Sequence, residues 1–388
     1  MSYIWNLPTK VLFGPGMLNE LGHQALPGKK ALLAISDGKS AKMNGSLERV
    51  KAQLHQAGVE IVLFDKICAN PTVPVLEAGV QVVREHSCDF VVGLGGGSVL
   101  DGVTIIAAVA PQKEGRLWDY VHGGTGGGRA LQEKPLPYVA ITTSAGTGSE
   151  VDAWGVVTNP ETKEKIGFQG DYAVLAIVDP ELMLTVPPKF TAFQGFDALF
   201  HSVEGFVSKF SNEASEMVQL AAISNIAKHL PTAVHEGSNL EARTNVAFAN
   251  TMSGYSMEVG SCTSEHSMEH AMSGHHPNLP HGAGLIMISI AYFSKWIEKG
   301  VCPDRFITMA KAMGRTEASS PEDFISALRE LQEACDVADL KMSDYGLSPE
   351  EFPTLARDAK QTMGGLFLCD RFEMTDDDVV DIYRNSFK

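Results

Sequence analysis

An α/β domain on a parallel sheet, followed by an all-helical domain, is the fold class this sequence predicts. Three observations predict it. Short apolar, β-branched runs alternate with amphipathic stretches as far as Asp179, the pattern of βαβ units. After DPELMLTVPP (179–188) the strand pattern stops and long helical stretches follow. Between the two regimes stand Pro187 and Pro188, and a double proline does not fit inside a helix. A chain of 388 residues is also long enough for two domains. The expected division is a dinucleotide-binding α/β domain over 1–186 and a helical, metal-binding and substrate domain over 187–388.

The expected strands, in order, are KVLFG (10–14), ALLAIS (31–36), EIVLF (60–64), DFVVGL (89–94), PYVAIT (137–142) and AVLAIVD (173–179). Each is a nearly unbroken apolar run, as strands covered on both faces require. SLERVKAQLHQAG and VLEAGVQVVREH are amphipathic and supply connecting helices. GGTGGGR (123–129) reads as a flexible loop, since no clear strand precedes it. In the second half, FTAFQGFDALFHSVEGFVSKF, ASEMVQLAAISNIAKHL, ARTNVAFANTMSGYSMEV, GLIMISIAYFSKWIEKG and PEDFISALRELQEACDV all read as helices.

Composition narrows the function. Hydrophobic content of 44% and charged content of 20% describe a soluble globular chain. A formal net charge of -16 argues against nucleic acid or an anionic membrane as a partner, because both need a basic face. No run approaches the ~18 apolar residues of a membrane span. The opening MSYIWNLPTKVLFG lacks a basic start, an apolar core and a small-residue cleavage site, so it is not expected to act as a signal peptide. The six cysteines are scattered and none forms CxxC, which implies reduced thiols in a cytoplasmic protein.

Two turns in the first half suit a nucleotide. The strand DFVVGL runs into Gly95, Gly96 and Gly97, and Ser98 opens an apolar helix. Glycines admit a close ligand and a helix N-terminus offers free N–H groups, which together favour a pyrophosphate, although a tight turn would need the same glycines. TTSAGTGSE (142–150) places hydroxyls and glycines after another buried strand; it suits a phosphate or ribose, or a helix cap. Asp37 follows ALLAIS. There a carboxylate can accept both hydroxyls of an adenosine ribose and repel a 2′-phosphate, or serve as a plain turn residue before Gly38.

The second half carries a metal-ligand pattern. Asp197 and His201 are four residues apart and share a helical face. His266 and His270 repeat that spacing, and His281 lies in a PHG turn before an apolar helix. A mixed carboxylate and imidazole set without thiolate suits Zn²⁺ or Fe²⁺ better than Ca²⁺ or Mg²⁺. Spacing alone does not choose among the five histidines His266, His270, His275, His276 and His281.

These blocks together resemble the iron-containing alcohol dehydrogenase family. The likeness spans nearly the whole chain: LPTKVLFGPGMLNELG, NPTV (70–73), GLGGGSVLD, SAGTGSEV, KIGF, DPELMLTVPP, FDALFHSVE, and HSMEHAMS followed by PHGAG. The resemblance implies a Rossmann-like first domain joined to a helical one, the dehydroquinate synthase-like fold, with the site in the cleft. It implies metal ligands at Asp197, His201, His266 and His281, and His270 as a catalytic proton-relay residue near the substrate. It implies nucleotide contacts at Asp37, Asn70, Gly95, Gly96, Gly97, Ser98, Thr143, Ser144, Thr147 and Lys165, with Asp101 beside them. NAD is expected rather than NADP, because of Asp37, and one divalent metal, Fe²⁺ ahead of Zn²⁺. The expected substrate is a small primary alcohol or aldehyde, and the expected assembly a homodimer or higher homo-oligomer.

The sequence departs from the family pattern at two places. Thr142 replaces the usual proline, and Ser144 the second threonine, of the hydroxyl turn. The His270–His281 segment is one residue longer than usual and carries His275 and His276, which could receive an anionic tail. An anionic aldehyde such as a semialdehyde, phosphonoacetaldehyde or sulfoacetaldehyde is therefore the alternative substrate, and a glycerol dehydrogenase-like enzyme the alternative activity. Trp154, Phe248 and Met257 are expected near the substrate.

Overall fold

The structure is a computed structural model describing residues 4–388. The chain gathers into two compact units. One comprises Asn6–Ser144 and Gly148–Thr185; the other comprises Val186–Lys388 and the short stretch Ala145–Thr147.

The first unit is built on six parallel strands. They are β1 (Lys10–Phe13), β2 (Lys30–Ser36), β3 (Glu60–Ile67), β4 (Phe90–Gly95), β5 (Tyr138–Thr142) and, after a hairpin, β8 (Leu175–Val178). Their order is β1-β8-β5-β4-β2-β3. Each of the six expected apolar runs forms one of these strands. The hairpin, β6 (Trp154–Asn159) and β7 (Glu164–Gln169), is antiparallel and was not expected.

Helices α1 (Ser40–Met43), α2 (Ser46–Gln56), α3 (Val73–His86) and α4 (Gly97–Val109) complete the unit. Leu33 and Ile35 of β2, Phe90, Val92 and Leu94 of β4, and Val139 and Ile141 of β5 face one way and pack with Leu47, Val50 and Leu54 of α2. The alternate residues face the other way. There the register aligns Ala34, Gly93, Ala140 and Ala176 in a row across four strands. This trough of small residues receives α4: a Cβ on Gly93 would lie 2.9 Å from a Val103 methyl. Gly155 of β6 approaches α4 from outside, its Cβ position 2.7 Å from the Asp101 carbonyl oxygen. Sheet on one side and hairpin on the other explain why α4 is apolar all round.

GGTGGGR differs from its expected flexible form. Gly126, Gly127, Gly128 and Arg129 donate main-chain hydrogen bonds to Gly123, Trp118, Val121 and Asp119. Gly126 and Gly127 admit no Cβ, which would fall 2.3 and 2.7 Å from carbonyl oxygens of Val121 and Asp119.

The second unit is helical: α5 (Pro188–Val207), α6 (Glu213–His235), α7 (Leu240–Gly260), α8 (Ser264–His275), α9 (His281–Glu298), α10 (Pro303–Ala312), α11 (Glu322–Ala334), α12 (Phe352–Phe367) and α13 (Asp376–Ser386). Helix α5 is central and buried along most of its length. Gly195 lies against Leu230 of α6, and Gly205 against Ser256 of α7. Phe200 stacks on Phe293 of α9 with ring centroids 6.2 Å apart. Helix α6 continues through Pro231 to His235, past the proline where its apolar pattern suggests an end. No helix among the described residues is long and apolar enough to cross a membrane.

Candidate metal centre and nucleotide turn

Asp197, His201 and Glu204 stand at i, i+4 and i+7 of α5 and so share one face. Helix α8, buried from Ser264 to Gly274, carries His266, Glu269 and His270. His281 is the first residue of α9. The glycines of PHGAG bring that helix end in. A Cβ on Gly282 would lie 2.1 Å from the Phe193 carbonyl oxygen of α5, and one on Gly284 would lie 2.7 Å from Glu269 Cγ of α8. Only glycine lets α9 begin against both helices.

Three imidazoles thereby converge on one carboxylate oxygen. Asp197 Oδ1 lies 3.6 Å from His201 Nδ1, 3.5 Å from His266 Nε2 and 3.5 Å from His281 Nε2. These separations are too long for good hydrogen bonds. Asp197 Oδ1, His201 Nδ1 and His266 Nε2 are buried and have no hydrogen-bond partner among the described residues. Tetrahedral bonds of about 2.1 Å separate neighbouring donors by about 3.4 Å, so the spacing is that of ligands around one ion. The donor set fits a divalent metal with nitrogen and oxygen preference.

Each outer imidazole nitrogen is held by a carboxylate. His266 Nδ1 donates to Glu204, and His281 Nδ1 donates to Glu269. Glu204 Oε2 also accepts the Thr263 amide at 2.8 Å and the Thr263 hydroxyl at 2.9 Å. This pairing fixes each tautomer and turns the other nitrogen inward.

Electrostatics favours a charged Asp197 and a neutral His201. Burial pushes the Asp197 carboxyl up, but His201, His281 and His266 outweigh it and hold it at about 2. Burial brings His201 down to about 4 against the pull of Asp197, which leaves a neutral imidazole at neutral pH. Burial opposes charge on His266 too, yet Glu204 and Cys262 raise it well above its ordinary value. Among the described residues, every ion pair of Asp197 and Glu204 is with an imidazole, and no lysine or arginine pairs with these two buried carboxylates.

His270 stands beside this cluster. Its ring centroid is 5.2 Å from His281 and 6.5 Å from His266. Its Nδ1 lies 2.7 Å from Met363 Sδ, at a kink in α12 where Met363 leaves helical geometry. His275 and His276 point elsewhere: they pair with Asp358 and Glu351, each at 2.8 Å.

In the α/β unit, β2 and β4 are neighbours whose onward connections leave opposite faces, α2 on one and α4 on the other. That is a switch point, where open α/β sheets bind ligands at the strands' carboxyl ends. Asp37 follows β2 and is exposed; Gly95–Ser98 follow β4 and open α4. Asn70 follows β3 in a left-handed conformation, φ 49°. Thr143 and Ser144 follow β5; the Thr143 amide donates to Gly95 at 2.9 Å, and a Cβ on Gly96 would strike Ser144 Oγ at 2.8 Å. Lys165 is buried on β7. Asp101 accepts from Ser149 Oγ at 3.0 Å and so braces the hydroxyl turn. Thr147 belongs to the stretch that clusters with the helical unit.

A family model described as iron-containing alcohol dehydrogenase matches residues 8–180, and one described as the C-terminal part of the Fe-containing alcohol dehydrogenase family matches residues 191–387. The chain belongs to the iron-containing alcohol dehydrogenase family. As an alcohol dehydrogenase it is an oxidoreductase acting on CH–OH groups. It is 32% identical to the 1,3-propanediol dehydrogenase of Klebsiella pneumoniae over 392 residues, 98% of each chain. The alcohol dehydrogenase of a halo-thermophilic archaeon from a Red Sea brine pool superposes with a TM-score of 0.94 at 32% identity, covering 100% of this chain and 99% of that one. A sulfoacetaldehyde reductase from Bifidobacterium kashiwanohense, solved in complex with NAD⁺, gives 0.84 at 27% identity, covering 99% and 98%.

Three residues of this alcohol dehydrogenase's site escaped sequence reasoning. Glu204 and Glu269 had a signal: H-S-x-E occurs twice, as His201–Glu204 and His266–Glu269. Cys262 had none. Its thiol lies within 4.8 Å of donor atoms of His201 and His266, and burial pushes it up to about 11.

Proposed function

We propose that this alcohol dehydrogenase interconverts a small primary alcohol and its aldehyde, with NAD as hydride partner and one divalent ion, Fe²⁺ ahead of Zn²⁺. Asp197, His201, His266 and His281 hold the ion. The observation that carries the reading is the set of three imidazole nitrogens 3.5–3.6 Å from Asp197 Oδ1, two of them buried and unpartnered. The family's name and the NAD⁺ bound to the sulfoacetaldehyde reductase support the choice of metal and nucleotide.

Bound, the ion supplies Lewis acidity toward a substrate oxygen and the nicotinamide supplies or accepts the hydride. The chain's own residues do the rest. Glu204 and Glu269 keep the Nδ1 protons of His266 and His281, so their Nε2 lone pairs face Asp197. Gly95–Ser98 and the N-terminus of α4 bind the pyrophosphate, and Asp37 takes the adenosine ribose hydroxyls. Asn70, Thr143, Ser144, Thr147 and Lys165 complete the nucleotide site, with Asp101 holding Ser149 in place. His270 carries the substrate's proton to and from solvent. The active form is a homodimer or higher homo-oligomer.

The pairing of His275 and His276 with Asp358 and Glu351 favours an uncharged substrate, since neither imidazole is left to receive an anionic tail. The test is NADH oxidation by Fe²⁺- or Zn²⁺-loaded enzyme with matched aldehydes, with and without an acidic tail. The reading expects turnover that depends on added metal and prefers the uncharged aldehydes. Turnover unaffected by chelation would overturn it.

A further inference from the structure

Behind the metal centre, four oxygen–oxygen contacts join Glu204 to Asp370. The Thr263 hydroxyl meets Glu204 Oε2 at 2.9 Å, and the Tyr292 hydroxyl meets Thr263 Oγ1 at 3.0 Å. Ser264 Oγ lies 3.0 Å from the Tyr292 oxygen and 2.7 Å from Asp370 Oδ2. All five residues are buried.

The proton count decides how this chain is wired. Four contacts need four protons, and Thr263, Tyr292 and Ser264 bring one hydroxyl proton each. The fourth belongs to a carboxyl group. Glu204 is the wrong place for it: Oε2 already faces the amide and hydroxyl of Thr263, and Oε1 faces His266 Nδ1. Asp370 is the right place. Its Oδ1 accepts the Ser264 amide at 3.1 Å and lies 3.5 Å from the Tyr292 oxygen, too far for a good hydrogen bond, which leaves Oδ2 to carry a proton toward Ser264 Oγ. With that proton every hydroxyl donates once in the same direction: Asp370 to Ser264, to Tyr292, to Thr263, to Glu204.

We propose that Asp370, held as its neutral acid, is a positioning residue that heads this donor chain and, through Glu204, sets the tautomer of His266. The inference rests on the reading of Asp197, His201, His266 and His281 as metal ligands. The surroundings of Asp370 agree. Burial pushes its carboxyl up to about 7, and the Glu204 carboxylate adds to the rise, while the Ser264 amide and the nearby Ser264 and Tyr292 hydroxyls oppose it. It faces Ser264 of α8, Tyr292 of α9 and Glu204 of α5. It also lines a cavity of about 580 Å³ with Lys209, Lys360, Arg371 and Glu373. Lys209 lies over the Phe210 ring, Lys360 is paired with Asp376, and Arg371 donates to the Val207 and Ser208 carbonyls, so none of these three cations is bonded to the Asp370 carboxyl.

Asparagine reproduces the neutral acid: its oxygen accepts the Ser264 amide and its NH₂ donates to Ser264 Oγ. The experiment is therefore a comparison of the full-length protein with Asp370→Asn, Asp370→Ala and Tyr292→Phe. Two quantities are read: the infrared carbonyl stretch of a buried carboxylic acid at mildly acidic pH, below the folded value of about 7, and Fe²⁺ or Zn²⁺ affinity by chelator competition. The expected result is an acid band that Asp370→Asn removes, affinity within twofold of wild type for Asp370→Asn, and about tenfold weaker binding for Asp370→Ala and Tyr292→Phe. Absence of the band overturns the proposal. So does equal loss in the Asn and Ala variants, which would mark a packing role, or wild-type affinity in Asp370→Ala. A wild-type protein that binds no metal would instead defeat the ligand assignment, and the infrared band would still decide the state of Asp370.

Discussion

Glu204 lies seven residues along α5 from Asp197, yet it takes the Nδ1 proton of His266 on α8. Glu269 of α8 does the same for His281 of α9. Each helix thus offers a candidate ligand and braces the ligand of the next. Glu204→Gln and Glu269→Gln replace the acceptor by a group that can turn either way. Metal affinity is expected to fall 10–100-fold, with turnover regained at saturating metal. Chelator competition and a metal titration of kcat check this; unchanged affinity in both variants contradicts the bracing role.

Gly282 sets where α9 begins. Gly282→Ala puts a methyl 2.1 Å from the Phe193 carbonyl oxygen, so α9 must shift away from α5. Overpacking of this kind costs about 1–3 kcal/mol. Because His281 precedes it, metal affinity should fall with stability. Urea denaturation with and without metal measures both, and a variant as stable and as tight-binding as wild type contradicts the account.

Asp37 is expected to exclude the 2′-phosphate of NADP. Asp37→Ser removes that repulsion, and about 1.4 kcal/mol corresponds to tenfold in the ratio of kcat/KM for NADPH over NADH. The ratio should rise by that order. An unchanged ratio would remove Asp37 from the nucleotide site.

The raised carboxyl of Asp370 makes stability depend on pH in a definite direction. Between the ordinary aspartate value of about 4 and its folded value of about 7, the native state holds a proton that the unfolded state has lost. The stabilisation is fully present below about pH 4 and is lost as pH rises to about 7, by up to about 1.4 kcal/mol per unit. Asp370→Asn has no such proton, so the difference between wild type and variant should slope across that window. Urea midpoints at several pH values measure it, and a difference independent of pH contradicts the neutral acid.

The six sheet strands were legible because each is covered on both faces, so burial writes itself as an unbroken apolar run, as in FVVGLG of β4. The β6–β7 hairpin was not. Trp154 is exposed while Gly155 and Val157 are buried, so its polar and small residues dilute the signal. The contact of Gly155 with α4 depends on tertiary approach, which no local pattern reports. At the site, the i, i+4 spacing placed Asp197 and His201 together, and α8 and α9 brought His266 and His281 to them. The sequence could not pair Glu204 with His266, because that contact depends on how α5 packs beside α8. For the same reason His275 and His276 looked available when their partners, Asp358 and Glu351, are about eighty residues away in the chain.

The most direct test of the metal centre is the stoichiometry of Fe²⁺ bound under anaerobic conditions, by elemental analysis, in wild type and in Asp197→Ala, His201→Ala, His266→Ala and His281→Ala. The account predicts one ion per chain in the wild type and its loss, together with NAD-linked alcohol oxidation, in each variant, while circular dichroism shows the helical unit still folded. A wild type that binds no ion, or variants that keep a full complement, would contradict it.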